Sequence, residues 1–114
     1  MKHQEPPPMD LAVMPIATTI LIALGDQVKH GYAIMREIDR STDAHVRVLP
    51  GTLYAALKKL LVAGLIAETD APADADSEDS RRRYYRLTVA GRAAARAEVQ
   101  RLASLVRLGR TFLA

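Results

Sequence analysis

The spacing of apolar and polar positions divides the chain into helices and short strands. An apolar run that begins with proline predicts a first helix over Pro15–Leu24, ended by Gly25. Apolar residues three and four apart, with charged residues between them, predict a second helix over about Gly31–Ser41. A third helix is predicted over Pro50–Ala63, and Gly64 ends it.

Short extended segments separate and follow these helices. Val46–Val48 alternates and is β-branched, which predicts a short strand, and Leu65–Thr69 predicts a second one directly after the third helix. The segment 70–80 is rich in Asp, Ala, Ser and Pro without periodicity, which is typical of a loop. Arg82–Leu87 alternates again, and Tyr85 is expected on the face of this strand that turns to the core.

The last segment predicts a long helix with an apolar stripe. Thr88 is a suitable N-cap, and the helix extends nearly to the C-terminus. Apolar residues recur along it in steps of four and three, as in a heptad seam. A helix of about 25 residues is roughly 37 Å long, more than so small a core can cover. We therefore expect it to pack against a second copy of the chain through Val99, Leu102, Leu105, Val106, Phe112 and Leu113.

The order of these elements predicts a mostly α fold with a small β-hairpin wing. Two strands joined by a loop after a third helix describe a winged helix-turn-helix. Residues 15–87 are expected to form this domain and residues 88–114 a long C-terminal dimerisation helix. Residues 1–14, with three successive prolines, are expected to form a flexible arm.

Composition excludes several classes of protein. The chain has 114 residues and no cysteine, which excludes disulfides, thiolate zinc sites and thiol nucleophiles. The apolar run Ile20–Leu24 is far shorter than the roughly 20 residues needed to cross a bilayer, and the N-terminus lacks an apolar signal core. We therefore expect a cytoplasmic protein without a membrane partner.

Charge is weakly basic overall but unevenly distributed. The net charge is +3, which many ordinary domains carry. Five acidic residues fall within positions 70–79, so the rest of the surface is more basic than the total suggests.

The third helix has one face suited to DNA. Its core face is predicted to comprise Leu53, Leu57, Leu60, Leu61 and Gly64. The opposite face combines small, hydroxylic and cationic residues, which can enter a major groove and reach phosphates and base edges. It consists of Thr52, Ala55, Lys58, Lys59 and Val62, with Tyr54 on the flank. An ordinary solvated helix face would also account for the two lysines.

Arginines lie at the end of the loop and the start of the last predicted strand, in the wing. Arg81, Arg82 and Arg83 follow the acidic loop directly. Arginine at a hairpin tip can enter a minor groove or pair with phosphates. The alternative is that these arginines neutralise the loop acids beside them, and both roles are compatible.

No pattern predicts catalysis, a cofactor or a metal site. The three histidines are His3, His30 and His45, and none has ligand spacing to a carboxylate. His45 beside Asp43 is a weak metal hint, and a surface loop histidine explains it better. No phosphate-binding glycine loop or serine–histidine motif is present.

Three motifs together resemble the PadR-like transcriptional regulators. They are His30–Ile34 at the start of the second helix, Pro50–Tyr54 at the start of the third, and Arg83–Thr88 followed by Gly91-Arg92. The resemblance covers about residues 15–110. Leu49 departs from it, because a serine that caps the helix is common there. The chain also lacks tryptophan, so the drug-stacking pocket of some multidrug-binding relatives does not carry over.

The resemblance implies a homodimeric repressor that binds a palindromic operator in double-stranded DNA. It also implies a small-molecule effector, of unknown identity, that weakens this binding. Carried over by position, the residues expected near DNA are Tyr32, Thr52, Tyr54 and Lys58, with Arg81, Arg82 and Arg83 in the wing.

Two other functions stay open at this point. A winged helix can serve as a protein–protein interaction module without specific DNA binding, or as a small-molecule sensor whose output is not DNA. Salt dependence separates the first from a DNA-binding regulator, since affinity for DNA falls steeply as salt rises.

Overall fold

A computed structural model of the chain describes residues 9–42 and 47–114. This part of the chain contains four α-helices, two 3₁₀ turns and one antiparallel sheet of three short strands. The helices are α1 (Pro15–Leu24), α2 (Gly31–Ser41), α3 (Pro50–Val62) and α4 (Val89–Phe112). The strands are β1 (Lys29–His30), β2 (Ile66–Thr69) and β3 (Tyr84–Leu87), and the 3₁₀ turns are Leu11–Val13 and Asp79–Arg81.

The helix boundaries agree with the sequence prediction to within a residue, because local chemistry sets them. α1 and α3 both begin with proline, whose fixed φ suits a first helical turn. Gly25 and Gly64 follow these two helices with φ of +54° and +76°. Such backbone conformations favour glycine, which has no Cβ to clash.

The prediction of a strand over 46–48 was wrong for the residues that the structure describes. Arg47 and Val48 are not in a strand, and Val46 lies outside the described residues. The third strand is instead β1, which pairs with the edge of β3 in the register Lys29↔Tyr85 and His30↔Tyr84. Two residues are too few to produce an alternating pattern, so this strand leaves no signal in the sequence.

β2 and β3 form the predicted wing. Their antiparallel register runs from Ile66↔Leu87 to Thr69↔Tyr84, and the sheet order is β1-β3-β2. Tyr85 is buried, as predicted. The predicted alternation fails at Tyr84, which is also buried because β1 covers it.

The core lies among α1, α2, α3 and the inner face of the sheet. Its largest fully buried side chains are aliphatic: Ile20, Leu21, Leu24, Ile34, Ile38, Leu53, Leu57 and Leu60. The predicted core face of α3 needs two corrections. Leu61 is only half-buried and Gly64, which follows the end of the helix, is exposed, whereas Ala56 is buried.

The expected N-terminal arm is packed onto the domain from Leu11 onward. Leu11 is buried in the core cluster, and the carboxylate of Asp10 accepts a hydrogen bond from the backbone N–H of Ala12 at 3.0 Å. Residues 1–8 of the predicted arm lie outside the described residues.

The first half of α4 is fastened to α1. The carboxylate of Glu98, almost fully buried, accepts a hydrogen bond from Thr18 Oγ1 at 2.8 Å. It also accepts two from the Arg101 guanidinium, at 2.7 and 3.0 Å. These bonds hold the pKa of Glu98 at about 2, well below its ordinary value. Arg92 adds an ion pair to Asp26 after α1.

The second half of α4 has no such cover. From Leu102 to Phe112 the side chains are exposed to solvent or nearly so, over about 16 Å of helix. The six predicted dimerisation residues are all exposed, from 38% for Leu102 to 86% for Leu113. Within residues 9–42 and 47–114, no helix is long and apolar enough to cross a membrane.

Candidate nucleic-acid interface

α2 begins at a histidine that caps it. His30 lies in extended conformation, and its Nδ1 accepts a hydrogen bond from the backbone N–H of Ala33 at 3.0 Å. An imidazole nitrogen that accepts a hydrogen bond carries no proton, so the proton of neutral His30 is on Nε2. Burial lowers the pKa of His30, the charge of Arg82 lowers it further, and Asp79 opposes this shift. The cap therefore uses a neutral imidazole.

Aromatic and cationic side chains gather around this cap. The His30 ring meets Tyr84 edge-on, with centroids 5.3 Å apart, and is stacked with Tyr32 at 6.3 Å. The guanidinium carbons of Arg36 and Arg82 lie 5.7 and 5.6 Å from the centre of the Tyr32 ring, within cation–π range. Tyr32 and Arg82, predicted independently, are thus brought together.

An open cavity of about 340 Å³ lies where α2, α3 and the wing meet. It is lined by His30, Gly31, Tyr54, Arg82, Arg83 and Tyr85. Tyr54 packs against the start of α2, where a Cβ on Gly31 would lie 2.9 Å from the Tyr54 hydroxyl oxygen. Glycine at this position therefore leaves room for the Tyr54 side chain, which lines the same cavity as Arg82 and Arg83.

The predicted outer face of α3 is exposed as expected. Thr52, Ala55, Lys58 and Lys59 are all solvent-exposed, and Tyr54 on the flank is half exposed. None of the first four lines the cavity. Small and cationic groups thus form a surface beside the cavity, with nothing from the described part of the chain covering it.

The helix begins without a side-chain cap. Leu49 occupies the N-cap position of α3 and supplies only its carbonyl, which accepts from the Leu53 N–H at 2.9 Å. The sequence showed leucine instead of a capping serine at this position, and in the structure no side chain caps the helix.

The three wing arginines differ in their partners. Arg82 Nε lies 3.0 Å from Asp79 in the acidic loop, and Arg83 lies 3.6 Å from Glu68 on β2. Arg81 belongs to the 3₁₀ turn rather than to the strand. Arg82 is therefore paired with an acid of the loop, as the alternative interpretation expected, whereas Arg83 is paired with an acid of β2.

His30 and Arg36 escaped the sequence-based selection of DNA-contact residues. The motif around His30 was recognised, but its cap and its contact with Tyr84 depend on the pairing of β1 with β3. Within the described residues no group of acidic, histidine or cysteine side chains could hold a metal ion. His3, Asp43 and His45, the last two named as a weak metal hint, lie outside these residues.

Comparison with known proteins identifies the family. Residues 20–97 match the sequence model of the transcriptional regulator PadR-like family. The chain belongs to this family. PadR-like proteins are transcriptional regulators rather than enzymes, in agreement with the expectation of no catalytic site. The chain has no significant match among curated proteins.

Solved structures of PadR-like and related regulators share the fold. One is a transcriptional regulator from Clostridium thermocellum, with 24% identity, coverage of 93% of this chain and 99% of that one, and a TM-score of 0.73. A PadR family regulator from Clostridium difficile has 26% identity, coverage of 87% and 98%, and a TM-score of 0.67.

A third similar structure is Bacillus subtilis PadR in complex with operator DNA. It has 20% identity to this chain and a TM-score of 0.64, with coverage of 75% of this chain and 45% of that one. These likenesses confirm the predicted fold class, a winged helix-turn-helix followed by a long helix.

Proposed function

We propose that this PadR-like protein is a homodimeric, sequence-specific repressor that binds a palindromic operator in double-stranded DNA. The observation that carries the proposal is the convergence of Tyr54 from α3 with Arg82 and Arg83 from the wing on one cavity. A helix and a wing that meet in this way can contact the same stretch of duplex. The structure of a similar regulator with operator DNA gives further support.

In this proposal α3 enters the major groove. Thr52 and Ala55 lie in its N-terminal half, the part that usually reads base edges, and their small side chains permit close approach. Lys58 and Lys59 contact phosphates, which positions the helix without reading sequence. Tyr32, held by Arg36 and Arg82, flanks the helix, and Arg81 to Arg83 contact phosphates or the minor groove from the wing.

The C-terminal part of α4, from Val99 onward, supplies the dimer interface. Its exposed apolar side chains form a stripe that monomeric proteins rarely leave in water. A second copy covers Val99, Leu102, Leu105, Val106, Phe112 and Leu113 in this proposal. Two-fold symmetry then places two copies of α3 on successive major grooves. Residues 15–87 serve as the DNA-binding domain and 88–114 as the dimerisation helix.

Repression and an effector that weakens it extend the proposal, and family membership supports them. A regulator of this kind works where the DNA lies, which is consistent with the expected cytoplasmic location. The proposal assigns no cofactor and no metal.

The test is binding of the purified protein to DNA from upstream of its own gene. Fluorescence anisotropy with a labelled duplex, repeated over a range of salt concentrations, should give a steep linear fall of log K with log salt. A duplex of the same length and shuffled sequence is the control and should bind more weakly. A protein–protein interaction module would bind neither duplex.

A further inference from the structure

We propose that His30 binds DNA directly, donating a hydrogen bond from Nε2–H to a backbone phosphate seated in the cavity between α2, α3 and the wing. This inference rests on the proposed DNA-binding function and deepens it. His30 was not among the residues predicted to touch DNA, and it lies in β1 at the N-cap of α2 rather than on α3 or in the β2–β3 wing.

The tautomer of His30 leaves one donor free for a ligand. Nδ1 is occupied by the Ala33 N–H, so Nε2 carries the proton of the neutral ring. Among the described residues, no hydrogen bond uses Nε2, and the ring is only half-buried. The side chain is therefore fixed by the bond at one nitrogen and can donate from the other.

The charges around the cavity favour an anion. Arg82 and Arg83 line it, and Tyr54 adds a hydroxyl that can donate. The facing acids are Asp79 and Glu68, each paired to one arginine through a single nitrogen. A guanidinium has five N–H donors, so both arginines keep donors for a phosphate while these ion pairs persist.

A DNA phosphate fits the location better than a free anion. The cavity borders the exposed side of α3 and is walled by the wing, the two elements that approach the duplex in the proposed complex. A strand backbone that crosses between them brings its phosphates to the cavity mouth. Hydrogen bonds from neutral and charged donors to backbone phosphates usually fix the position of a protein on the duplex.

The test is a variant that keeps the cap and removes the donor. His30→Asn retains an oxygen that accepts from the first turn of α2, since asparagine is a preferred N-cap, but it has no group at the position of Nε2. We expect normal helicity and melting, and operator affinity at least about 10-fold weaker, as for the loss of a hydrogen bond to a charged group in each protomer.

Salt dependence separates a neutral donor from a cation. A neutral donor releases no counterion when it binds a phosphate. Removing the His30 contact should therefore leave the slope of log K against log salt as in the wild type. Arg82→Ala is the matched control from the same cavity, and it should lower that slope by about one unit for each protomer of the dimer. A slope that falls as much in His30→Asn would overturn the assignment of a neutral donor.

Modified DNA identifies the ligand. Operator duplexes with one methylphosphonate each, scanned along both strands, should include a position that weakens binding of the wild type more than it weakens binding of His30→Asn, which keeps the arginine contacts to the same phosphate. Inorganic phosphate, titrated into the wild-type protein, should leave the His30 Nε2 resonance unmoved at millimolar concentrations at which operator DNA shifts it. A shift with inorganic phosphate alone would mean a free-anion site and overturn the inference.

Failure of this inference differs from failure of the proposed function. If His30→Asn folds and binds like the wild type, with the same methylphosphonate profile, His30 only caps α2 while the protein remains a DNA binder. If the wild type itself binds no duplex, the proposed function fails. The Nε2 resonance is measured on the wild type, so it decides the point even if the variant does not fold.

Discussion

Gly91 in the first turn of α4 lies directly against the carbonyl of Leu65, so that a Cβ on residue 91 would be 1.8 Å from that oxygen. The same carbonyl accepts a hydrogen bond from the Thr88 N–H at 3.1 Å. Thr88 Oγ1 accepts from the Gly91 N–H at 3.0 Å and donates to the Gly64 carbonyl at 2.7 Å. One threonine and one glycine thus join the end of α3 to the start of α4.

We expect Gly91→Ala to lower the free energy of unfolding by at least about 2 kcal/mol, because the new methyl group meets backbone that cannot move alone. Chemical denaturation followed by circular dichroism measures it. Gly51→Ala is the control, since a Cβ there has nothing within 4 Å, and its effect should stay within about 1 kcal/mol. Equal stability of the two variants would show that the α3–α4 junction is pliable.

The sequence predicted this junction only in part. Thr88 was identified as the N-cap, because capping is a local property of residue type. The closeness of Gly91 to Leu65 was not, since it depends on the angle at which α4 leaves the sheet. The same distinction explains β1: its two residues carry no alternation, and only the free edge of β3 makes them a strand.

For the site, the sequence predicted which side chains are exposed but not which side chains they contact. Lys58 and Lys59 were placed on the outer face of α3 by helical periodicity, and they lie there. The pairing of Arg82 with Asp79 three residues earlier was among the alternatives that the sequence left open. That Arg82 also contacts Tyr32 could not be read from the chain, because Tyr32 lies on α2, far away in sequence. The alternation of the last strand put Tyr84 on the face opposite Tyr85, yet Tyr84 is buried too, where β1 pairs His30 with it.

The Glu98 cluster should make stability depend on acidity. The folded pKa of Glu98 is about 2, below its ordinary 4.5, so the unfolded chain binds this proton more readily. The stabilisation is therefore complete above about pH 4.5 and is lost as pH falls towards 2. Urea midpoints should fall more between about pH 5 and pH 3 in the wild type than in Glu98→Gln. Parallel pH profiles would mean that Thr18 and Arg101 do not hold the carboxylate in solution.

The outer face of α3 gives a prediction about affinity. We expect Lys58→Ala and Lys59→Ala each to weaken binding to all duplexes alike and to lower the salt slope by about one unit for each protomer of the dimer, as loss of a phosphate contact does. Anisotropy titrations on operator and shuffled duplexes measure both quantities. If both variants bind as the wild type does, α3 is not at the DNA interface.

The wing is tested by replacing Arg81, Arg82 and Arg83 together with alanine. All three side chains are exposed and their ion pairs are with partly exposed acids, so the fold should persist. Operator affinity should fall, because the wing loses three positively charged side chains. Thermal melting and anisotropy are measured on the same sample. A variant that melts early but binds normally when folded would assign the arginines to structure rather than to DNA.

The last prediction concerns assembly through α4. Beyond Arg101 the apolar side chains of this helix are exposed within the described part of the chain, with Leu105 at 50% and Phe112 at 75%. Burying a leucine is worth roughly 1.5–3 kcal/mol, so several such residues per chain can outweigh the entropy lost on association. A charge placed in this stripe must be desolvated or force the helices apart.

Leu102→Glu combined with Val106→Glu should therefore give monomers that keep most of their helicity. Such a monomer keeps its DNA-contacting residues Lys58 and Lys59. It contacts only one half-site of the operator, however, and therefore binds weakly. Operator affinity should then fall further than in the lysine or arginine variants. Analytical ultracentrifugation at micromolar concentration decides the assembly, with Thr111→Glu as a control for added charge elsewhere on α4. A double variant that stays dimeric would place the interface elsewhere, on α1 and the N-terminal segment.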